Sequence, residues 1–240
     1  MTSDLVFRPP LVLNNNDGDA AKNFPIALRV YSAGSDKAEL YRLRYRAFRD
    51  AGWIGENAEC ILADRYDSLS SAFAIGAFHN GACIGSLRLA FGGAGLAAHS
   101  LPCEEQFANE LRALDPGLQL RLVEFSRMAV DPTLTNRSFR TTLYASLVRA
   151  GIILTTAASC DVVLVAVHRR ISAFYQVMCG FKVIGRSDTY SEINEPTNFL
   201  ALELREAEKR RLRSNAFFAI SEDEIASARS ALDQEKRRAA

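Results

Sequence analysis

The sequence predicts an α+β fold, a mixed central β-sheet with helices on both faces. Three observations carry this expectation. Two apolar runs, 72–78 and 82–89, flank Asn80-Gly81, a pair whose tolerance of positive φ marks a tight antiparallel hairpin. Residues 161–167 (DVVLVAV) form the β-branched run of a strand buried on both faces, as in parallel sheets. Between Asp131-Pro132 and that run, Phe139, Leu143, Leu147 and Ile152 recur at helical spacing, which completes a β-α-β unit.

The remaining elements follow in order. Residues 26–31 (IALRVY) read as a short strand, and Ser35-Asp36 is placed to cap a helix carrying Leu40, Leu43, Ala47 and Phe48, which Gly52 ends. After the hairpin, glycines 92, 93 and 95 mark a loop, and 101–114 suits a helix before Asp115-Pro116-Gly117 turns the chain. A central strand is expected over 119–130. A helix over 169–178 should stop at Gly180, with strands at 181–185 and 199–204 beyond it. Two charged helical stretches, 205–214 and 221–238, close the chain, the second opening with a Ser-x-x-Glu capping box.

Composition bounds the function. With 240 residues, 48% apolar and 24% charged, the chain suits one well-cored domain over 26–204, a flexible lead over 1–25 with Pro9, Pro10 and Asn14 to Asn16, and a helical extension over 205–240. A net charge of +1 argues against a nucleic-acid partner, which calls for a basic excess. Five cysteines without CxxC spacing and three scattered histidines argue against a metal site or disulfide framework. The first 25 residues lack a basic segment followed by an apolar core, and Ser159 and Asp161 interrupt the longest apolar stretch, so a cytoplasmic protein without an integral membrane segment is expected.

The chemistry concentrates in Glu124-Phe125-Ser126-Arg127 on the central strand. Strict alternation places Glu124 and Ser126 on one face and Phe125 and Arg127 on the other. Charges inside an otherwise apolar strand need partners, which leaves two readings: a structural ion pair or a functional cluster. Arg44 on the first helix, Asp64 and Asp67 ahead of the hairpin, and Arg88 on its second strand add charges that this topology can bring to one end of the sheet.

The run Leu43-Arg44-Tyr45-Arg46-Ala47-Phe48 with Trp53, then Asp64-Arg65-Tyr66-Asp67, Gly85-Ser86-Leu87-Arg88-Leu89 and Glu124-Phe125-Ser126-Arg127, resembles the signature of N-acyl amino acid synthases and of the related acyl-homoserine-lactone (autoinducer) synthases. Both groups have the GNAT (acyl-CoA N-acyltransferase) fold. The resemblance covers residues 40–186. It implies that Arg44, Asp64, Asp67, Arg88, Glu124 and Arg127 form a polar cluster beside Ser126, that Phe48 and Trp53 supply an aromatic wall, and that a parallel strand pair splays apart.

In that fold the splayed strand binds a pantetheine arm and the next helix start binds its phosphates, which points to Met128, Val130, Arg137, Phe139 and Arg140. The loop there, Thr135-Asn136-Arg137-Ser138-Phe139-Arg140, has no glycine. Acetyl-CoA users commonly place glycines at this point, where backbone approaches phosphate closely. The departure weakens an acetyl-CoA assignment and favours, as the resemblance to the synthases implies, a phosphopantetheine thioester on an acyl carrier protein, with acyl-CoA as the alternative donor and no permanently bound cofactor. Arg137 and Arg140 then either meet phosphate or carrier-protein acids, or are solvated helix-start charges.

His168 to Tyr175 followed by Cys179-Gly180-Phe181 resembles the GNAT segment whose tyrosine protonates the departing thiolate. Tyr175 is therefore a candidate acid, though helical spacing from Ile171 and Met178 fits core packing equally. Glu124 is the candidate base toward the acceptor ammonium. The acceptor is either an amino acid or, in the lactone-forming relatives, S-adenosylmethionine; a non-catalytic carrier-binding module is the alternative of another class. Phe73, Phe78, Phe91 and Phe125 offer apolar surface for a long acyl chain or for the core.

Overall fold

The computed structural model describes residues 3–5, 26–94, 101–190, 193–206 and 216–239. Its strands are β1 (Ser3–Leu5), β2 (Ala27–Tyr31), β3 (Ala72–His79), β4 (Ala82–Gly93), β5 (Arg121–Val130), β6 (Val162–His168), β7 (Lys182–Tyr190) and β8 (Glu195–Glu203). Helices α1 (Ala38–Asp50), α2 (Glu104–Leu114), α3 (Arg137–Ala157), α4 (Arg169–Cys179) and α5 (Glu222–Ala239) surround them. The strands form one sheet in the order β1-β2-β3-β4-β5-β6-β8-β7. Every neighbouring pair is antiparallel except β5 and β6.

Local chemistry accounts for much of this. Asn80 and Gly81 sit at φ 49° and 80°, as a tight turn between right-twisted strands requires. Gly180 ends α4 in the left-handed region at φ 78°. At the start of α5, Ser221 and Glu224 each accept the other's backbone N–H, forming the expected capping box. Helix α1 begins after Lys37; of the expected capping pair, Asp36 Oδ1 accepts the Ala38 N–H at 3.0 Å, while the Ser35 hydroxyl donates to Glu235 of α5 at 3.2 Å.

Tertiary pairing decides the rest. Strand β8 inserts between β6 and β7, so the strand after α4 lies at the sheet edge. Ser3–Leu5, inside the expected lead, pairs with β2, while 6–25, 95–100 and most of the charged stretch 205–214 lie outside the described residues. One face of the sheet, with Val123, Phe125, Val163 and Leu200, packs on α3, α4 and α5. The other packs on α1 through Leu40, Leu43 and Phe48, and on α2 through Phe107. Each such buried Leu, Val or Phe contributes roughly 1.5–3 kcal/mol. Helix α5 joins the same core through Ala228, Ala231 and Leu232.

Two features of β5 position the site. Its ladder with β6 runs from Leu122–Val162 to Phe125–Val165, yet β5 continues to Val130 and β6 to His168, so the parallel pair parts beyond Phe125. At the same place the register with β4 slips by one residue, between Arg88–Ser126 and Ser86–Ala129, and Arg127 takes φ 50°. This is a β-bulge, which bends its strand and resets the alternation of side chains. The face assignment read from strict alternation is therefore corrected: Arg127 lies with Ser126 on the α1 face, and Met128 packs toward the opposite one.

Candidate active site

Five of the six expected charged residues form one network. Arg44, fully buried on α1, donates from Nη1 to Asp67 Oδ1 at 2.7 Å and from Nε to the Ser86 hydroxyl at 3.1 Å. Arg88, on β4, donates from Nη1 to Asp64 Oδ1 at 2.5 Å and to Asp67 Oδ2 at 3.3 Å, and from Nε to Ser126 Oγ at 2.9 Å. Arg127 takes the other Asp64 oxygen through Nε at 3.1 Å and Nη2 at 2.7 Å.

The two aspartates are fixed by the short 3-10 turn Arg65–Ser68. Asp64 caps that turn by accepting the Tyr66 N–H, and the Asp64 N–H donates to Asp67 Oδ2 at 3.1 Å. Burial alone would raise the Asp64 carboxyl; Arg88 and Arg127 outweigh it and hold it at about 2. Arg44 is lowered, chiefly by desolvation, against the pull of Asp67.

Glu124, only 1% exposed, faces the same side as Ser126 and accepts the Cys103 backbone N–H at 2.7 Å. Cys103 precedes α2, so the carboxylate lies at a helix start, where negative charge is favoured. Burial and then Glu124 push the Cys103 thiol well up. Phe48 lies under Arg127, 5.8 Å from guanidinium carbon to ring centroid, and meets Trp53 edge-on at 5.3 Å. Trp53 in turn stacks at 6.4 Å on His168, the last residue of β6. The aromatic wall thus reaches across the parted strands.

On the opposite face a cavity of about 520 Å³ lies between the start of α3 and α4, lined by Arg137, Arg140, Thr141, Tyr144, Phe174 and Tyr175. Asn136 caps α3 by accepting the Phe139 N–H at 2.9 Å, while the Phe139 ring packs edge-on to His79. The Tyr175 hydroxyl donates to Met128 Sδ at 3.7 Å, and burial keeps this phenol protonated well above its ordinary range. Val130 is buried, its backbone paired with Gly85.

Two members of the network were not singled out as site residues from the sequence. Ser86 shares a β4 face with Arg88, and that i, i+2 spacing was a usable signal. Lys37, 5% exposed, donates from Nζ to the Asp67 carbonyl at 2.7 Å, and burial lowers its pKa; nothing local announces it.

A parted parallel pair in a mixed sheet, with the ionic network on one side and a helix-start cavity on the other, defines a GNAT-fold acyltransferase. The chain belongs to the N-acyl amino acid synthase FeeM family, whose model matches residues 39–203. FeeM itself, from uncultured soil microbes, superposes with a TM-score of 0.63 at 21% identity, covering 77% of this chain and 93% of that one. The acyl-homoserine-lactone synthase LasI gives 0.58 at 17%, covering 75% and 91%. BjaI, a CoA-dependent acyl-homoserine lactone synthase bound to SAM and isopentyl-CoA, gives 0.51 at 16%, covering 83% and 96%. No curated protein matches the chain.

Proposed function

We propose that this enzyme moves an acyl group from a phosphopantetheine thioester on an acyl carrier protein to the amine of an amino acid. The observation that carries the acceptor class is charge. Among the described residues, Lys37, Arg44, Arg88 and Arg127 gather four cationic side chains around Asp64 and Asp67. Guanidinium groups gathered beside the opening suit the carboxylate of an amino acid, which they can meet through charge-assisted hydrogen bonds.

The donor belongs on the other side. Arg137 and Arg140 at the start of α3, where helix amides favour anions, suit the phosphate of the arm. The arm then follows the part of β5 that β6 has left, along Met128 to Val130, whose amides polarise the thioester carbonyl. Glu124, directly or through water, takes the ammonium proton. The neutral amine attacks the carbonyl carbon, the carbon–sulfur bond breaks, Tyr175 hands its proton to the departing thiolate, which leaves as the thiol, and the proton shed by the new amide nitrogen passes through water to restore the Tyr175 phenol. Holding both reactants at the opening is worth roughly 7–11 kcal/mol of the barrier.

The test is product mass spectrometry after incubating the purified protein with acyl carrier protein thioesters or acyl-CoA, each with amino acids or S-adenosylmethionine. An N-acyl amino acid made from the carrier thioester supports the proposal. A lactone product, or turnover with CoA alone, replaces the acceptor or the donor respectively; no thioester loss with any amine leaves a carrier-binding module.

A further inference from the structure

A second cavity, of about 350 Å³, lies at the far end of α3 from the transferase site. Its size falls within the range of small-molecule pockets, roughly 300–1,000 Å³. Phe73, Phe91, Leu122 and Leu232 contribute apolar wall, with Phe73 and Phe91 edge-on at 5.7 Å, and Arg121 and Lys236 supply two cations. Helix α5 completes it through Leu232 and Lys236, and α5 lies outside the span matched by the family model.

Neither cation has a carboxylate partner among the described residues. Asp161 stands nearby, its Oδ2 accepting the Arg121 backbone N–H at 2.9 Å. The Cys160 thiol in the cavity wall is pushed up to about 12 by burial and then by Asp161, while Arg121 and Lys236 both act on it in the opposite sense. Both side-chain charges are thus within electrostatic reach of the interior.

The two cavities share no lining residue. The first begins at Arg137 and the second includes Ala158, so the 21 residues of α3, about 30 Å of helix, lie between them. Midway, α3 rests directly on the sheet: a Cβ added at Gly151 would stand 2.6 Å from Phe125 and 3.1 Å from Leu87. A chain entering from the first cavity meets packed side chains there.

We infer that the second cavity is a separate binding site for an amphiphilic carboxylate, with the alkyl chain against Phe73 and Phe91 and the head group between Arg121 and Lys236. Free fatty acids and N-acyl amino acids share this chemistry. A methyl-terminated chain end gains nothing from two cations, whereas a carboxylate gains charge-assisted hydrogen bonds. Occupancy does not depend on turnover, so the inference stands apart from the proposed reaction.

Isothermal titration calorimetry without any acyl donor tests it. Decanoate, N-decanoylglycine and decanol are titrated into the wild type, into Arg121→Glu with Lys236→Glu, and into wild type saturated with CoA. Both substitutions lie on exposed side chains, and circular dichroism confirms the fold. The expected result is carboxylate binding that CoA does not displace, weakened at least tenfold in the double variant, with decanol at least tenfold weaker than decanoate. The tighter carboxylate identifies the class of ligand. Absence of carboxylate binding, equal binding of decanol, equal binding by the variant, or displacement by CoA each overturns the assignment.

Discussion

Arg127 and Met128 are neighbours in the chain yet serve opposite faces of the sheet: the Arg127 guanidinium holds Asp64 at 2.7 Å, and Met128 sulfur accepts the Tyr175 hydroxyl at 3.7 Å. The bulge at φ 50° makes this possible, and it lies where β5 leaves β6. One backbone irregularity thereby sends neighbouring side chains to the ionic network and to the cavity at the start of α3.

That geometry predicts an unusual order of stability at Arg127. Arg127→Ala and Arg127→Gly remove the same guanidinium from Asp64 and differ in the cost of the left-handed backbone. Glycine ordinarily weakens a strand, but here it is expected to be the more stable of the two by about 1 kcal/mol, because it adopts positive φ without strain. Urea unfolding of the two variants measures the difference. Alanine equal or superior to glycine would mean that the bulge relaxes in the variants.

Asp64 predicts an acid-side stability loss. Its carboxyl is held at about 2, below an unfolded value near 3.8, so the folded state favours the ionised form. The contribution is fully present above pH 4 to 5 and is lost as pH falls through the folded value near 2. The difference between the two values corresponds to about 2 kcal/mol. Asp64→Asn lacks this titration. The stability of wild type over Asp64→Asn should therefore shrink by about that amount between pH 5 and pH 2. A gap that stays constant over this range contradicts the ion-pair assignment.

Gly151 predicts the reverse of a helix-propensity rule. Alanine in place of glycine inside a helix usually stabilises by about 1 kcal/mol. Here the new Cβ would meet the Phe125 ring at 2.6 and 2.8 Å, and overpacking typically costs about 1–3 kcal/mol. Gly151→Ala should lower the melting temperature, and Phe125→Leu added to it should restore part of the loss. Additivity of the two changes would show that the contact is not shared.

How legible these features were in the sequence depends on whether their causes are local. Asn80-Gly81 and Gly180 carry their own backbone preference, so the hairpin and the end of α4 could be read directly. The parallel pair followed from the apolar run in β6 and the helix before it. The bulge left no trace, because arginine is not a residue that signals positive φ, and strict alternation therefore put Arg127 on the wrong face. Nor did any local pattern show that β8 inserts beside β6, since strand order is settled by pairing between distant segments. The arginine–aspartate network was legible as residue types, while Lys37 joined it only through tertiary packing.

Arg149, a buried side chain of α3, ties down the start of helix α5. Arg149 donates to both oxygens of Glu224 at 2.7 and 3.0 Å, and to the carbonyls of Phe217 and Ala219 at 2.6 and 2.8 Å. Removing it takes the guanidinium from one carboxylate and two carbonyls; Glu224 is partly exposed and keeps Ser221, so the expected cost is about 1–3 kcal/mol. Arg149→Met retains the apolar stem and loses the bonds. Limited proteolysis should then cut near residues 216–221 at least tenfold faster than in wild type, and an unchanged rate would show that α5 is held by its other contacts, those of Ala228, Leu232 and Glu235.

Glu124 offers the sharpest test of the chemistry, because its structural and chemical roles separate in one substitution. The carboxylate accepts the Cys103 N–H at 2.7 Å, and the glutamine carbonyl of Glu124→Gln preserves that acceptor without the proton affinity of the acid. Melting temperature should therefore stay near wild type while kcat falls by about 10²–10⁴, the usual contribution of a positioned base. Without the base, the reaction relies on amine already deprotonated in solution, so the variant's rate should climb steadily with pH after the wild type has levelled off. A variant that melts early and shows the wild-type pH profile would assign Glu124 to the support of α2. Full turnover at every pH would remove it from the reaction.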